Sequence, residues 1–260
     1  MKTVFVAAAG LAVAQASMKS LTSNIRSYTK SNANVTGRAF TGDAETAFAP
    51  INGYGCWCYL DDTWRDANQV LINRPAILAH GQVVDTIDES CRELINAYKC
   101  VEMDAEANGI TDCDAQAVAY VPFNFDPLGD LTTDCRANNV EECAQNACIV
   151  EGAFILRYAE DVAAVGGIVA NTAGYTADHQ HTSQGGTFDP EVNCPGIPNP
   201  VGSDKECCGM FSMLSRKPFR LYSGFTTRKC CANEVINEEL NQCCTDALDV
   251  ESVVDINDVC

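Results

Sequence analysis

Apolar residues recur at alternating spacings of three and four in one stretch of the chain, Val84, Ile87, Cys91, Leu94, Tyr98 and Val101. That spacing puts them on one face of a helix and predicts an amphipathic element over about Val84 to Ala107. Asp85 and Asp88 fall in its first turn, where carboxylates complement exposed amide dipoles. A second stripe, Val140, Cys143, Ala147, Val150 and Phe154, predicts another helix starting at Asn138 or Asn139. Asn139 with Glu142 three residues on resembles a capping box, and Gly166-Gly167 would end the helix. Cys148 lies on a neighbouring face, so this helix can be stapled on two sides.

Elsewhere the patterning is weak. From Ser17 to about Ala49 the chain is rich in Ser, Thr, Asn and Ala and reads as a weakly structured leader with one glycosylation sequon at Asn34. Before it, Lys2, an apolar run from Val4 to Ala14 and the small residues Ala14-Gln15-Ala16 read as a signal peptide over residues 1–16. That run is too short to span a bilayer, and no later stretch reaches the roughly 20 apolar residues required, so no transmembrane segment is expected. Gly166 to Asn193, rich in Gly, Thr and Ala, reads as a linker. Beyond Cys194, Pro195, Pro198 and Pro200 interrupt regular structure, and a compact module of short β-hairpins with little core is expected.

The chain carries 16 cysteines, eight from Cys56 to Cys148 and eight from Cys194 to Cys260. In an oxidising compartment these become crosslinks, each stabilising by about 2–4 kcal/mol. Zinc ligation is the competing use, disfavoured because none of His80, His179 and His181 sits at ligand spacing from a cysteine pair. Each half can close its own bridges. The doublets Cys207-Cys208, Cys230-Cys231 and Cys243-Cys244 cannot bridge internally without strain, so each should tie its strand to two partners. The division expected is a leader at 17–49, a helical domain at 50–165, a linker at 166–193 and a doublet module at 194–260.

A net charge of −18 keeps a secreted protein solvated and argues against nucleic acid as a partner and against anionic lipid surfaces. Arg216-Lys217-Pro218-Phe219-Arg220 and Arg228-Lys229 are basic islands that would dock an acidic neighbouring copy or balance the acidic tail.

Tyr54-Gly55-Cys56-Trp57-Cys58, followed by Asp85, Asp88 and Cys91 and by Tyr98, resembles the calcium loop and catalytic helix of secreted phospholipases A2 over about residues 50 to 160. The resemblance implies an α-rich, disulfide-stapled phospholipase A2-like domain, with Cys58 bridged to Cys91. The doublet module resembles, in spacing style, matrix proteins of the galaxin type. Where the family places its histidine base and its aspartate calcium ligand, this chain has Leu94 and Ile95, which neither accept a proton nor bind a cation. Tyr59 and Asp61 replace loop glycines, so Trp57, Tyr59 and Asp61 mark a vestigial calcium loop. Ser90 and Ala97 replace family cysteines, and Tyr59 to His80 is an insertion.

The expectation is therefore a secreted, non-catalytic protein without cofactor or metal, an extracellular structural or binding module. Its partner would be an extracellular protein, a matrix component or another copy of itself. Two alternatives remain: a non-hydrolytic lipid-binding module with an apolar slot beside Leu94 opening near Trp57 or Trp64, and an active calcium-dependent phospholipase A2. His80 is expected as an exposed loop residue, and His179-x-His181 as a weak metal pair lacking a carboxylate partner. Tyr54, Tyr59, Leu60 and the two tryptophans form an aromatic cluster suited to core packing or to lipid.

Overall fold

The computed structural model describes residues 53–60, 80–123, 130–164, 177–182, 186–195, 204–224 and 226–260. The signal peptide, the leader with Asn34, Asp61, Trp64, most of the insertion and Gly166-Gly167 lie outside them.

Helix α1 spans Thr86–Ala107, two residues inside the predicted start. Asp85 is its N-cap, and its carboxylate accepts from the Asp88 amide at 2.9 Å. The far end is closed by Gly109 at φ +83. There the amide of Ile110 reaches the Ala105 carbonyl and that of Gly109 the Glu106 carbonyl, a paired closure that needs a left-handed residue at the glycine position.

A short helix α2, Leu131–Asn138, is capped by Asp130; helix α3 is Glu142–Ala164. The capping role expected of Asn139 is not what this residue does. Its backbone is extended, and its amide side chain turns back to the amide and carbonyl of Val121 and to the carbonyl of Cys135. The segment between α2 and α3 is thus out of helical register, which leaves Val140, expected on the apolar face, 96% exposed.

α1 and α3 run antiparallel: Tyr98 bonds Glu151, and ten residues further along α1 Asn108 bonds Glu142, nine residues earlier in α3. Between them lies the main core, with Ile87, Leu94, Ile95, Tyr98 and Val101 meeting Val150, Phe154 and Ile155. Each such side chain, fully buried, contributes roughly 1.5–3 kcal/mol. A second cluster under α2 packs Tyr120, Phe123, Ala147 and Ile149 around the Cys135–Cys148 bridge. With Cys113–Cys143, α3 is stapled at two places.

The C-terminal part consists of small antiparallel sheets. β1 (Lys205–Cys208) pairs with β2 (Lys217–Arg220); β3 (Tyr222–Ser223), β4 (Thr226–Cys231) and β5 (Glu234–Asn237) form a three-stranded sheet; β6 (Asn241–Thr245) pairs with β7 (Glu251–Asp255). Neighbouring strand residues face opposite ways, so each doublet sends its two sulfurs to different partners: Cys207 to Cys100, Cys208 to Cys230, Cys231 to Cys243 and Cys244 to Cys260.

The expectation that each half closes its own bridges is overturned. Cys100–Cys207 fastens β1 to α1, and Cys56–Cys194 fastens the loop before α1 to the segment after α3. Arg216 adds a two-pronged ion pair to Asp104 at 2.8 and 2.9 Å. The physical reason is size: hairpins this short cannot enclose a core of their own, so they are fastened against the α1 surface. Nor are the described residues of 177–193 a free linker. Gln180 pairs with Tyr54, His181 with Phe188, and α4 (Pro190–Asn193) leads into Cys194.

Replacing Cys100 and Cys207 together by serine should lower unfolding stability by about 2–4 kcal/mol and make the Lys205–Cys260 part the first site of limited proteolysis. Denaturant midpoints and mass-mapped digests check this; a variant as stable and as resistant as the parent counts against a covalent anchor of that weight.

Candidate functional site

The loop Gly53–Cys58 wraps the head of α1 and is held there by one carboxylate. Asp88, fully buried, accepts from the backbone amides of Trp57 (2.7 Å), Cys56 (3.0 Å) and Val84 (3.1 Å). Burial outweighs these donors and pushes its carboxyl up to about 6. Gly55 has φ +59, and a Cβ there would stand 2.4 Å from the Asp88 carboxyl carbon, so both conformation and space require glycine. Cys58 and Cys91 are joined across the same junction.

Beside it lies a polar cluster no spacing announced. His179 Nδ1 is 3.2 Å from Asp85 Oδ2 and 3.2 Å from the Tyr54 hydroxyl, which itself bonds Asp85. The carboxylate partner missing from the sequence reading of His179 is therefore Asp85, 94 residues away in the chain. His179 and His181 do not converge on one ligand point: the first ring meets Tyr54 and Phe188, the second meets Tyr59. Burial lowers the His181 pKa. His80 is half-buried rather than exposed; its amide bonds the Cys56 carbonyl, and its buried Nδ1 has no hydrogen-bond partner among the described residues.

Leu94 and Ile95 are 0% and 1% exposed and belong to the core between α1 and α3. One turn beyond Leu94, Tyr98 donates to Glu151 Oε1 at 2.9 Å, and Tyr120 donates to the other carboxylate oxygen. Glu151 is fully buried. Desolvation raises its carboxyl to about 8 against the lowering effect of both phenols. The signal for Glu151 was present in the sequence, since it stands four residues after Ala147 and three before Phe154, an acid on the apolar stripe.

These residues do not fit the calcium ion that the phospholipase resemblance implies. Ile95 offers no oxygen. The carbonyls of Gly55, Cys56, Trp57 and Cys58 accept from the Tyr59 hydroxyl and from the amides of His80, Tyr59 and Gly53, so the loop is bonded into itself where an ion would want six to eight oxygens. Tyr59 is buried, which raises its phenol pKa. Trp57 is half-buried and donates its indole N–H to the Gly81 carbonyl at 3.2 Å. Of the aromatic cluster expected here, Tyr54, Trp57 and Tyr59 therefore turn towards the protein. All sixteen cysteines are in disulfides, which leaves no thiolate for zinc. Comparison of the chain with protein-family models, with curated proteins and with solved structures finds no significant match to any of them.

Gly55→Ala should destabilise the fold by about 1–3 kcal/mol, read as a lowered midpoint, whereas an unchanged midpoint means that Asp88 tolerates a methyl group. Glu151 supplies a pH prediction. Its folded pKa is raised from 4.5 to about 8, so the native state holds a proton that the unfolded chain has released. Stability from this group is complete below pH 4.5 and is lost as pH rises towards 8, at a slope of up to about 1.4 kcal/mol per unit. Glu151→Gln should flatten that decline in denaturation measured across the window; a parallel decline assigns it to other groups.

Proposed function

We propose that this chain is a secreted, non-hydrolytic protein of phospholipase A2-like architecture that acts as an extracellular structural or binding module. The observation that carries the reading is the fate of the Leu94–Ile95 pair. Both side chains are enclosed aliphatic core, with no proton acceptor or oxygen ligand where the resemblance would require them. Several features support an architecture of this kind: the loop seated on the α1 head, the Cys58–Cys91 bridge, and two long antiparallel helices with Tyr98 bonded across them. Eight disulfides using every cysteine suit an oxidising compartment. No helix among the described residues is long and apolar enough to cross a membrane.

A lipid-binding role receives less support, because Leu94 is sealed and Tyr54, Tyr59 and Trp57 are engaged within the protein. His179 beside Asp85 is an imidazole–carboxylate pair of the type that serves general-base chemistry. It sits at the loop junction, and its Nδ1 is already committed to Asp85 and Tyr54.

Incubation with phospholipid vesicles and soluble esters, with calcium or with chelator, should release no fatty acid above the protein-free rate. Calcium-dependent release that disappears in Leu94→Arg would restore a phospholipase; calcium-independent release lost in His179→Ala would make the Asp85–His179 pair a catalytic site.

A further inference from the structure

We propose that the Tyr54 hydroxyl, Asp85 Oδ2 and His179 Nδ1 form the protein side of a ferric iron site, three ligands on one face of the ion with water on the other. Such a site goes beyond the structural-module reading and does not depend on it.

Three donor atoms of different chemistry meet at one point. His179 Nδ1 lies 3.2 Å from Asp85 Oδ2 and 3.2 Å from the Tyr54 hydroxyl oxygen. Ligand atoms bound at about 2.0–2.1 Å and roughly 90–110° apart stand about 2.9–3.4 Å from one another, so both edges already have the separation that an ion imposes. The third edge is the hydrogen bond donated by the Tyr54 hydroxyl to Asp85 Oδ2, where an ion takes the place of the proton between the two oxygens.

The donors are held before an ion arrives. Asp85 is the N-cap of α1, and its other oxygen, Oδ1, is fixed by the Asp88 amide at 2.9 Å, which leaves Oδ2 to the remaining two groups. The carbonyl of His179 accepts from the amide of Gly55, the neighbour of Tyr54, at 2.8 Å, and its imidazole meets the rings of Tyr54 and Phe188 edge-on. Hydrogen bonds behind the ligands orient them in this way in metal sites. Tyr54 is fully buried, whereas the side chains of Asp85 and His179 are 24% and 29% exposed. One side of the trio is therefore closed by protein and the other is open to water.

The donor set selects the ion. Every cysteine is in a disulfide, so a soft, thiolate-seeking ion finds no sulfur. Calcium wants six to eight oxygens, and only two of the three donors are oxygen. A phenol ordinarily keeps its proton up to about pH 10, so displacing it at neutral pH takes a small, highly charged Lewis acid, and ferric iron brings three charges where zinc or copper brings two. Binding puts the ion on the Tyr54 phenolate, the Asp85 carboxylate and a neutral imidazole whose proton is on Nε2; the phenol proton leaves to solvent. The Asp88 carboxylate, close enough to that of Asp85 for the two to repel, adds to the field that draws a cation.

Titrating the disulfide-intact chain, freed of metal by chelator, with ferric citrate at neutral pH tests this. The parent should retain one iron per chain through desalting, release one proton for each iron bound, and acquire a visible phenolate-to-iron charge-transfer band that acid bleaches as protons reclaim the ligands. Tyr54→Phe, which keeps the ring and removes the oxygen, should abolish the band. Asp85→Asn, still able to cap α1, and His179→Gln should each weaken retention at least about tenfold. The band and the proton count are read on the parent, so they stand even where a variant does not fold. Iron that washes out on desalting, iron retained without the band, or a band that persists in Tyr54→Phe each overturns the site. Zinc or copper that displaces the iron at equal concentration overturns the ferric assignment.

Discussion

The Asp88 carboxylate ties the Gly53–Cys58 loop, the N-terminal turn of α1 and the backbone at Val84 to one point. Three amides that would otherwise be buried without partners are satisfied by a single group, and an unmade bond there leaves a donor costing about 1–3 kcal/mol. Around this point the chain places two disulfides, Cys58–Cys91 directly and Cys56–Cys194 towards the later segment. The glycine at position 55 exists to let the loop come this close. The order of the α1 head, and of the Tyr54–Asp85–His179 cluster beside it, depends on that seat being occupied.

Helix α1 was legible because its apolar face repeats over six positions without interruption. α2 was not, because its eight residues offer only Leu131, Cys135 and Ala137 as apolar positions, too little for periodicity to register. Asn139 misled for a related reason: a short polar residue caps helices in sequence statistics, but here a tertiary partner, the Val121 backbone, outcompetes the local one. The divergent pairing of the doublets followed from strand geometry alone, whereas the identity of their partners did not. Nothing near Cys100 or Cys207 marks a bridge between halves, since the pairing reflects where a core-poor module finds support. The Asp85–His179 contact is invisible for the same reason, joining residues whose separation carries no local signature.

Two kinds of buried acid divide the helical part. Asp88 is surrounded by backbone donors and organises a loop; Glu151 is fully buried between the phenols of Tyr98 and Tyr120. The first is a device for chain geometry. The second carries a standing desolvation cost that a neutral residue would not, and the hydrophobic packing of Phe154, Tyr158 and their neighbours holds the helices together despite it.

The doublets also set how the molecule bears force. From Cys260 a continuous covalent route passes through Cys244, Cys243, Cys231, Cys230, Cys208 and Cys207 to Cys100 on α1, alternating disulfides with single peptide bonds. Drawn taut, that route measures about 33 Å from its Cα spacings and about 3.8 Å per peptide step, whereas the residues from Cys207 to Cys260 stretched without crosslinks would reach roughly 180 Å. Tension applied at the last residue is delivered to the helix through sulfur, and the hairpins hang alongside as unloaded loops: a nearly inextensible tether, with stiffness that does not depend on the strands remaining paired.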